Sequence, residues 1–257
     1  MKIYISSDFE GGTCVVGNLA QTPGTQYALA QRIITGEVNA AVEGCLAAGA
    51  TDILVDDCHG GGINLLYEEL HPEAKILLGA PRKRRFAPLD ESFDAMMLIA
   101  YHPMAATEDG VLSHSYSSEA IHHMWLNGIE VGEIGLDAAL AGSLGVPVVL
   151  VTSCVKGCEE ARKILGNIET VAVKEGLGRN SAVCLHPKKA CALIRQAAKR
   201  ACKRASKIKP FTLKPPYELK IEYKIEPHAE GEGRLPGRKR INANTVVRTS
   251  NNIFDLI

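Results

Sequence analysis

The sequence predicts an α/β protein with a helix-flanked, mostly parallel sheet and a second, smaller α+β domain. The first observation is a β-branched run, KIYIS, followed by a helical pattern from Tyr27 to Leu46 and by another run, TDILVDD. This order of strand, helix and strand is typical of a βαβ unit. The second observation is that later apolar runs alternate with helical stretches, which pack naturally as a parallel sheet covered by helices.

The later elements keep this alternation up to about residue 209 and then change. After Lys209, alternating residues and prolines in PFTLKPPYELKIEYKIEP, and later NTVVRTS, favour antiparallel strands. We therefore predict an α/β core over residues 1–209, which can contain an inserted part of the smaller domain, and a strand-rich C-terminal part of that domain over residues 210–257. Within the core, the predicted strands are AKILLG, FDAMMLIAY, VPVVLVTS and ETVAVKEG, and the predicted helices are GEIGLDAALAGSL, CEEARKIL and HPKKACALIRQAAKRACKRA.

Charge and cysteine content exclude several classes of protein. The 29 basic and 29 acidic residues leave no excess of positive charge for neutralising nucleic-acid phosphates, so we expect no nucleic-acid partner. Because we find neither a signal peptide nor an apolar run of about 20 residues, we expect a cytoplasmic protein with no membrane partner. The eight cysteines lack CxxC spacing, which argues against a zinc ribbon, and we expect most of them to be small core residues.

Acidic side chains and histidines follow the ends of the predicted strands. The carboxyl ends of strands in an open α/β sheet face one crevice, so these side chains converge although they are distant in sequence. Residues two apart on a strand point the same way, so Asp8 and Glu10 would face one point if the extended conformation continues to residue 10. The residues at this edge are Asp8, Glu10, Asp56, Asp57, His59 and His102, to which GVLSHS adds His114 and VGEIGLD adds Glu133.

A divalent metal would explain this concentration of acids, because carboxylates removed from water are costly unless they are paired or metal-bound. Three carboxylates and two imidazoles suit zinc and exceed the needs of one tetrahedral ion, so two ions could share a bridging carboxylate. Taken singly, each residue has a simpler explanation, such as a helix-terminal acid or a hydrogen-bonded histidine. Asp56 or Asp57 could also bind metal or orient His59. We expect surface or structural roles for His71, His122, His123, His186 and His228.

Five motifs in order carry a resemblance to a known family. SSDFEG, DDCHGG, AYHPMA, GVLSHS and VGEIGLDAALAG resemble successive motifs of the M55 metallopeptidases, a family of D-aminopeptidases, and the similarity extends over nearly the whole chain. The resemblance implies a two-domain subunit with two zinc ions that removes the N-terminal residue of short, D-amino-acid-containing peptides. It also implies a homo-oligomer, a decamer of two stacked pentameric rings.

The resemblance further implies a role for each site residue. Asp8 would bridge both zinc ions, Glu10 and Glu133 would bind one ion, and His59 and His102 would bind the other. His114 occupies the position of the catalytic residue, and nucleophile, acid/base and oxyanion-stabilising roles are all open to it.

Two other classes of function could use parts of this pattern. A dinuclear phosphoesterase could share the metal ligands and would need cationic groups, for which PRKRR at 81–85 and GRKR at 237–240 are candidates. Solvated loops are the simpler interpretation of both basic runs. A non-catalytic dipeptide-binding protein would normally be exported, and we find no signal peptide. The sequence therefore favours a zinc aminopeptidase.

Overall fold

The computed structural model describes residues 1–257 except for the side chain of Leu19. We number its strands and α-helices in chain order. The strands are β1 (Lys2–Ser7), β2 (Asp52–Asp57), β3 (Ala74–Leu77), β4 (Ala95–Ile99), β5 (Ile121–Leu126), β6 (Ile129–Glu130), β7 (Val148–Cys154), β8 (Glu169–Gly176), β9 (Ala182–Cys184), β10 (Tyr217–Tyr223), β11 (Arg238–Arg240) and β12 (Thr245–Ser250). The helices are α1 (Thr25–Leu46), α2 (Glu133–Ser143), α3 (Val155–Leu165), α4 (Pro187–Arg204) and α5 (Glu226–Gly233).

The larger sheet has seven strands in the order β3-β2-β1-β4-β7-β8-β9. Every neighbouring pair is parallel except β8 and β9, which are antiparallel. The chain leaves β1 toward β2 and β3 on one side, and it later returns to add β4 and β7 on the other. The strand order therefore reverses between β1 and β4, which is where open α/β sheets place their ligands. The predicted fold class is confirmed.

The two faces of this sheet bury separate cores. Along β1, Ile3 and Ile5 point into a core shared with α1 and α4, whereas Tyr4 points into the opposite core. This alternation follows from the period of two along a strand. The opposite core contains apolar residues of α2 and of the smaller sheet. Both faces of the central strands are therefore covered, as a parallel sheet requires.

The smaller sheet is antiparallel, with the order β11-β12-β10-β5-β6. Three of its strands lie after residue 210, where the sequence predicts antiparallel strands, and two form a hairpin over residues 121–130. The hairpin turns at Asn127 and Gly128, whose φ angles are 48° and 80°. Asn-Gly is the preferred pair for a two-residue hairpin turn with positive φ at both positions. The smaller sheet is thus assembled from two distant parts of the chain.

Two further expectations concern membranes and cysteines. None of the helices that the structure describes combines the length and the apolar composition needed to cross a bilayer. All eight cysteines are free thiols; Cys45, Cys154, Cys158 and Cys202 are buried, and Cys14 is exposed. Half of the cysteines are therefore core residues, fewer than the sequence analysis expected.

The contact between α1 and α4 yields a test of the packing. A Cβ at Gly44 would lie 2.4 Å from the carbonyl oxygen of Arg195 and 2.7 Å from Cβ of Ala198. Because backbone atoms of α4 cannot move aside locally, Gly44→Ala should lower the free energy of unfolding by about 1–3 kcal/mol. Urea denaturation measures this change.

Gly36→Ala on the same helix is the matched control. Its Cβ would meet only Sγ of Cys191, at 3.7 Å, which is an ordinary contact. Alanine gains about 1 kcal/mol of helix propensity over glycine, so this variant should be as stable as the wild type or more stable. Equal destabilisation by both substitutions would contradict the close helix contact.

Candidate metal centre

The end of β1 brings the first two candidate acids to one histidine. The strand ends at Ser7, and the backbone turns before residue 10, so the extended conformation does not continue as the sequence analysis considered. Both carboxylates nevertheless converge: Nδ1 of His59, which follows β2, lies 3.2 Å from Oδ1 of Asp8 and 3.1 Å from Oε2 of Glu10. The turn therefore produces the convergence that was expected from strand alternation.

A second pair of candidates joins the same point from β4 and α2. His102 is 1% exposed, and its Nδ1 donates a hydrogen bond to the carbonyl of Pro103 at 3.0 Å. This bond directs Nε2 into the site, where it lies 3.4 Å from Oδ2 of Asp8 and 3.2 Å from Oε1 of Glu133. Histidines that bind metals commonly donate their other ring nitrogen to a carbonyl in this way.

His114 lines the same cavity, beside His102. Its Nδ1 donates to the carbonyl of Leu112 at 2.7 Å, and its ring stacks on His102 with centroids 3.8 Å apart. Its Nε2 lies 3.8 Å from Oε1 of Glu10 and 3.9 Å from Oε1 of Glu133. Burial and the neighbouring charge of His102 lower the pKa of His114. One cavity of about 380 Å³ is therefore lined by six of the eight residues that the sequence singled out, namely Asp8, Glu10, His59, His102, His114 and Glu133.

The electrostatics of the site reflect crowding of buried acids. Burial and the charge of Glu10 raise the pKa of Asp8 to about 7. Burial also opposes a charged His59, but the carboxylates of Glu10 and Asp8 outweigh it and raise the His59 pKa to about 11. Burial opposes ionisation of Glu133 as well, but His102 outweighs it and lowers the Glu133 pKa to about 2. The carboxylates therefore need positive charge beside them.

The side chains present fit a divalent metal. Oδ2 of Asp8 and Oε2 of Glu10 are buried and have no hydrogen-bond partner among the described residues, although imidazole nitrogens lie close to them. Such orphaned oxygens are costly unless a cation completes their coordination. Carboxylate oxygen and imidazole nitrogen are donors that zinc accepts. Two groups of side chains have ligand atoms within 4.8 Å of one another: Asp8, Glu10 and His59, and His102, His114 and Glu133.

This grouping differs from the pairing that the resemblance implies. Glu10 lies with His59, and Glu133 lies with His102, whereas the resemblance places the two glutamates on one ion. Asp8 contacts a histidine of each group, through Oδ1 and Oδ2 respectively. The geometry therefore gives each group one glutamate and places Asp8 between the groups.

Asp56 and Asp57 lie outside both groups. Asp56 accepts a hydrogen bond from the Tyr4 hydroxyl and pairs with Arg82, so both of its oxygens have partners other than the proposed metal ligands. Asp57 accepts from the backbone and the side chain of Asn64, and the Asn64 amide donates to the carbonyl of His59 at 2.7 Å. Of the roles considered for these acids, the structure supports orientation of the His59 loop by Asp57.

Lys174, on β8, was missed by sequence reasoning. Its side chain is 2% exposed, and Nζ donates to the carbonyls of Glu10, Gly12 and Val15 at 2.5, 2.8 and 2.6 Å. Burial lowers its pKa to about 8. All three carbonyls belong to the loop that carries Glu10, so Lys174 fixes that loop. A lysine inside the apolar run ETVAVKEG was the available signal, because a charged residue in a buried strand needs partners.

Glu160, on α3, supports the other half of the site and was also missed. It is buried, and its Oε2 accepts a hydrogen bond from the backbone N–H of Met104 at 2.7 Å. A Cβ at Gly132 would come within 2.9 Å of its Oε1, so Glu160 also packs directly against the start of α2. Met104 and Gly132 adjoin the segments that carry His102 and Glu133. One buried acid therefore braces both of these segments.

The Lys174 contacts give a test of the loop. Lys174→Met keeps the length and apolar stem but removes all three N–H donors, leaving buried carbonyls without partners. We expect the free energy of unfolding to fall by about 1–3 kcal/mol and the affinity for zinc to fall with it, because Glu10 loses its fixed position. Urea denaturation and zinc titration measure the two effects.

Lys75→Met is the control for loss of a lysine from a strand. The Lys75 side chain is 72% exposed and pairs with Asp52, and exposed pairs contribute at most about 1 kcal/mol. Zinc affinity should be unchanged in this control. A Lys174→Met protein that binds zinc as tightly as the wild type would show that the loop does not depend on the lysine.

Comparison with known proteins identifies the family of this chain. The model of the peptidase M55 family, described as D-aminopeptidase, matches residues 1–257. A D-aminopeptidase of Bacillus subtilis (strain 168) is 33% identical over 250 residues, which cover 96% of this chain and 90% of that protein. The solved structure of the Zn-dependent D-aminopeptidase DppA from Bacillus subtilis, described as a self-compartmentalizing protease, superposes with a TM-score of 0.94. It is 32% identical and covers 99% of this chain and 93% of its own. The chain therefore belongs to the M55 family of D-aminopeptidases.

Proposed function

We propose that this protein is a zinc-dependent aminopeptidase that removes the N-terminal residue of short peptides, with a preference for D-amino acids. The observation that carries the proposal is the convergence of buried, unpartnered carboxylate oxygens with imidazole nitrogens in one cavity. Membership of the M55 family and the similarity to a Zn-dependent D-aminopeptidase support the identity of the metal and the substrate class.

Two zinc ions per subunit would account for all the candidate ligands. Glu10 and His59 would hold one ion, Glu133 and His102 would hold the other, and Asp8 would contribute an oxygen to each. The position of Asp8, with one oxygen facing His59 and the other facing His102, supports a bridging role. Bound zinc supplies a Lewis acid that polarises the scissile carbonyl and activates water for attack.

His114 is placed to handle protons in this reaction. Its Nδ1 proton is held by the carbonyl of Leu112, so Nε2 is the free position and faces the cavity between Glu10 and Glu133. An imidazole fixed in this tautomer can accept a proton at Nε2 and deliver it to the departing amine. We therefore propose that His114 acts as the general acid/base and not as a zinc ligand.

Variants of Asp8 and His114 test the two roles on one set of measurements. Zinc-loaded wild type should hold about two ions per chain and cleave D-alanyl-glycine faster than L-alanyl-glycine. Asp8→Ala should lower the zinc content toward one or none and abolish turnover. His114→Ala should keep the zinc content and the melting temperature, while turnover falls about 10²–10⁴-fold. Zinc content, melting temperature and turnover are measured on each preparation.

The outcomes separate the possible roles of His114. A variant that loses zinc together with activity would make His114 a ligand. A variant that loses stability but keeps the activity of the folded fraction would make it a structural histidine. Full zinc content in Asp8→Ala would contradict the bridging role, and a zinc-loaded wild type that cleaves neither dipeptide would contradict the proposed activity.

We also propose that the chain assembles into a homo-oligomer, with a decamer of two pentameric rings as the specific form. The description of the Bacillus subtilis relative as a self-compartmentalizing protease supports enclosure of the active sites by assembly. Sedimentation velocity at working concentration should give a single species of about ten chains. A species of one chain only would contradict the proposal.

A further inference from the structure

Arg85 is a cation in the wall of the metal cavity that the proposed mechanism does not use. Its guanidinium donates through Nε and Nη2 to the two carboxylate oxygens of Asp137, both at 2.6 Å. Nη2 also lies 3.9 Å from Oε2 of Glu133, one of the proposed zinc ligands. The sequence analysis interpreted PRKRR as a solvated loop, which is wrong for Arg85, because its side chain is only 18% exposed.

The surroundings of Arg85 hold its guanidinium in one orientation. Asp137 binds the Nε and Nη2 edge of the guanidinium, and it also accepts hydrogen bonds from the hydroxyls of Tyr101 and Tyr116. The rings of Phe86 and Tyr116 lie 4.9 and 5.1 Å from the guanidinium carbon. Among the described residues, Nη1 has no hydrogen-bond partner, and it is not among the fully buried unpartnered atoms. Arg85 therefore has a fixed donor edge, at Nη1, that no described residue occupies, and its side chain lines the metal cavity.

A second cavity of about 350 Å³ adjoins this edge. Cys58, Gly60, Arg85 and Tyr116 line both the metal cavity and this second cavity. Basic side chains outnumber acidic ones in the second cavity, because Arg82, Lys83 and Arg84 line it together with Asp57. Neither Lys83 nor Arg84 forms an ion pair with another described residue. Nη1 of Arg84 is buried and has no hydrogen-bond partner among the residues that the structure describes. The space beyond the metal site is therefore suited to a negatively charged group.

We infer that Arg85 binds the C-terminal carboxylate of the peptide substrate, so that the enzyme prefers peptides with a free carboxylate just beyond the scissile bond. The inference rests on the proposed function and names the substrate more closely, as a dipeptide. Arg85 lines the metal cavity, and its Nη2 lies 3.9 Å from Oε2 of the proposed ligand Glu133, so a carboxylate bound by Arg85 would lie beside the proposed metal centre. A guanidinium with a free donor edge recognises a carboxylate through charge-assisted hydrogen bonds.

Three peptides test the inference on the zinc-loaded wild type. D-alanyl-glycine carries the C-terminal carboxylate, and its C-terminal amide lacks it but keeps the same scissile bond. We expect kcat/KM for the free acid to exceed that for the amide at least tenfold. The α-amide of D-alanyl-aspartic acid places a carboxylate on the side chain only, and it should be cleaved as slowly as the glycine amide. Fast cleavage of this third peptide would overturn recognition of the C-terminal carboxylate.

Two variants separate the contact from the general charge of the cavity. Arg85→Lys keeps the positive charge beside Asp137 but loses the planar guanidinium. The ratio of kcat/KM for the free acid to kcat/KM for the amide should therefore fall toward one. Lys83→Gln removes an exposed charge from the second cavity and leaves Arg85 in place, so the preference should persist. Should Arg85→Lys fail to fold, Arg85→Gln combined with Asp137→Asn leaves no unpaired buried charge and should likewise abolish the preference.

Binding supplies a readout that does not depend on turnover. In zinc-loaded His114→Ala, calorimetry should show D-alanyl-glycine binding at least tenfold more tightly than its amide, and adding Arg85→Lys should remove the difference. If Arg85 had a purely structural role, Arg85→Lys would weaken the binding of both peptides equally. The ratio of their affinities would then stay unchanged, which would overturn the inference. Equal cleavage of both peptides by the wild type would also overturn it while leaving the aminopeptidase activity intact. If the protein bound D-alanyl-glycine more tightly than the amide but the zinc-loaded wild type cleaved neither, the proposed activity alone would be overturned.

Discussion

Three carboxylates buried within a few ångströms of one another are the constraint on which the rest of this structure depends. Asp8, Glu10 and Glu133 are each less than a tenth exposed. Burial alone would favour their neutral forms, and their mutual repulsion adds to that cost. His59 and His102 lie among them and supply positive charge in the absence of metal. In the same arrangement the ligands for a divalent ion are already in place. A bound cation would relieve the repulsion between the acids, and this relief favours metal binding.

Such an arrangement persists only where the backbone around it is held from several sides. Lys174 fixes the loop that carries Glu10 through three carbonyls, and Glu160 holds the segments beside His102 and Glu133. Asp57 organises the loop after β2 through Asn64. These buried polar groups form most of their hydrogen bonds with backbone atoms, which are rigid partners. The site is therefore fixed by the scaffold before metal or substrate arrives.

Much of the larger sheet could be predicted, because strand and helix periods are local properties of the sequence. The predicted helix from Tyr27 to Leu46 is observed as α1, and the predicted helix HPKKACALIRQAAKRACKRA is observed as α4, which ends at Arg204. The hairpin of β5 and β6 was not predicted, because IHHMWL carries two histidines and only the Asn-Gly turn marks it. That this hairpin pairs with β10 depends on long-range contacts that no local pattern contains.

The sequence by itself determined which side chains gather at the edge of the sheet, because residues that follow parallel strands are delivered to the same end. Asp8, His59 and His102 lie there for that reason. Only the tertiary structure decided how the ligands divide into two groups, and that Arg85 faces the site while Lys83 in the same basic run faces solvent. These outcomes depend on the orientation of side chains from separate segments packed against one another. Sequence spacing fixes the order of such segments, whereas packing fixes the directions in which their side chains point.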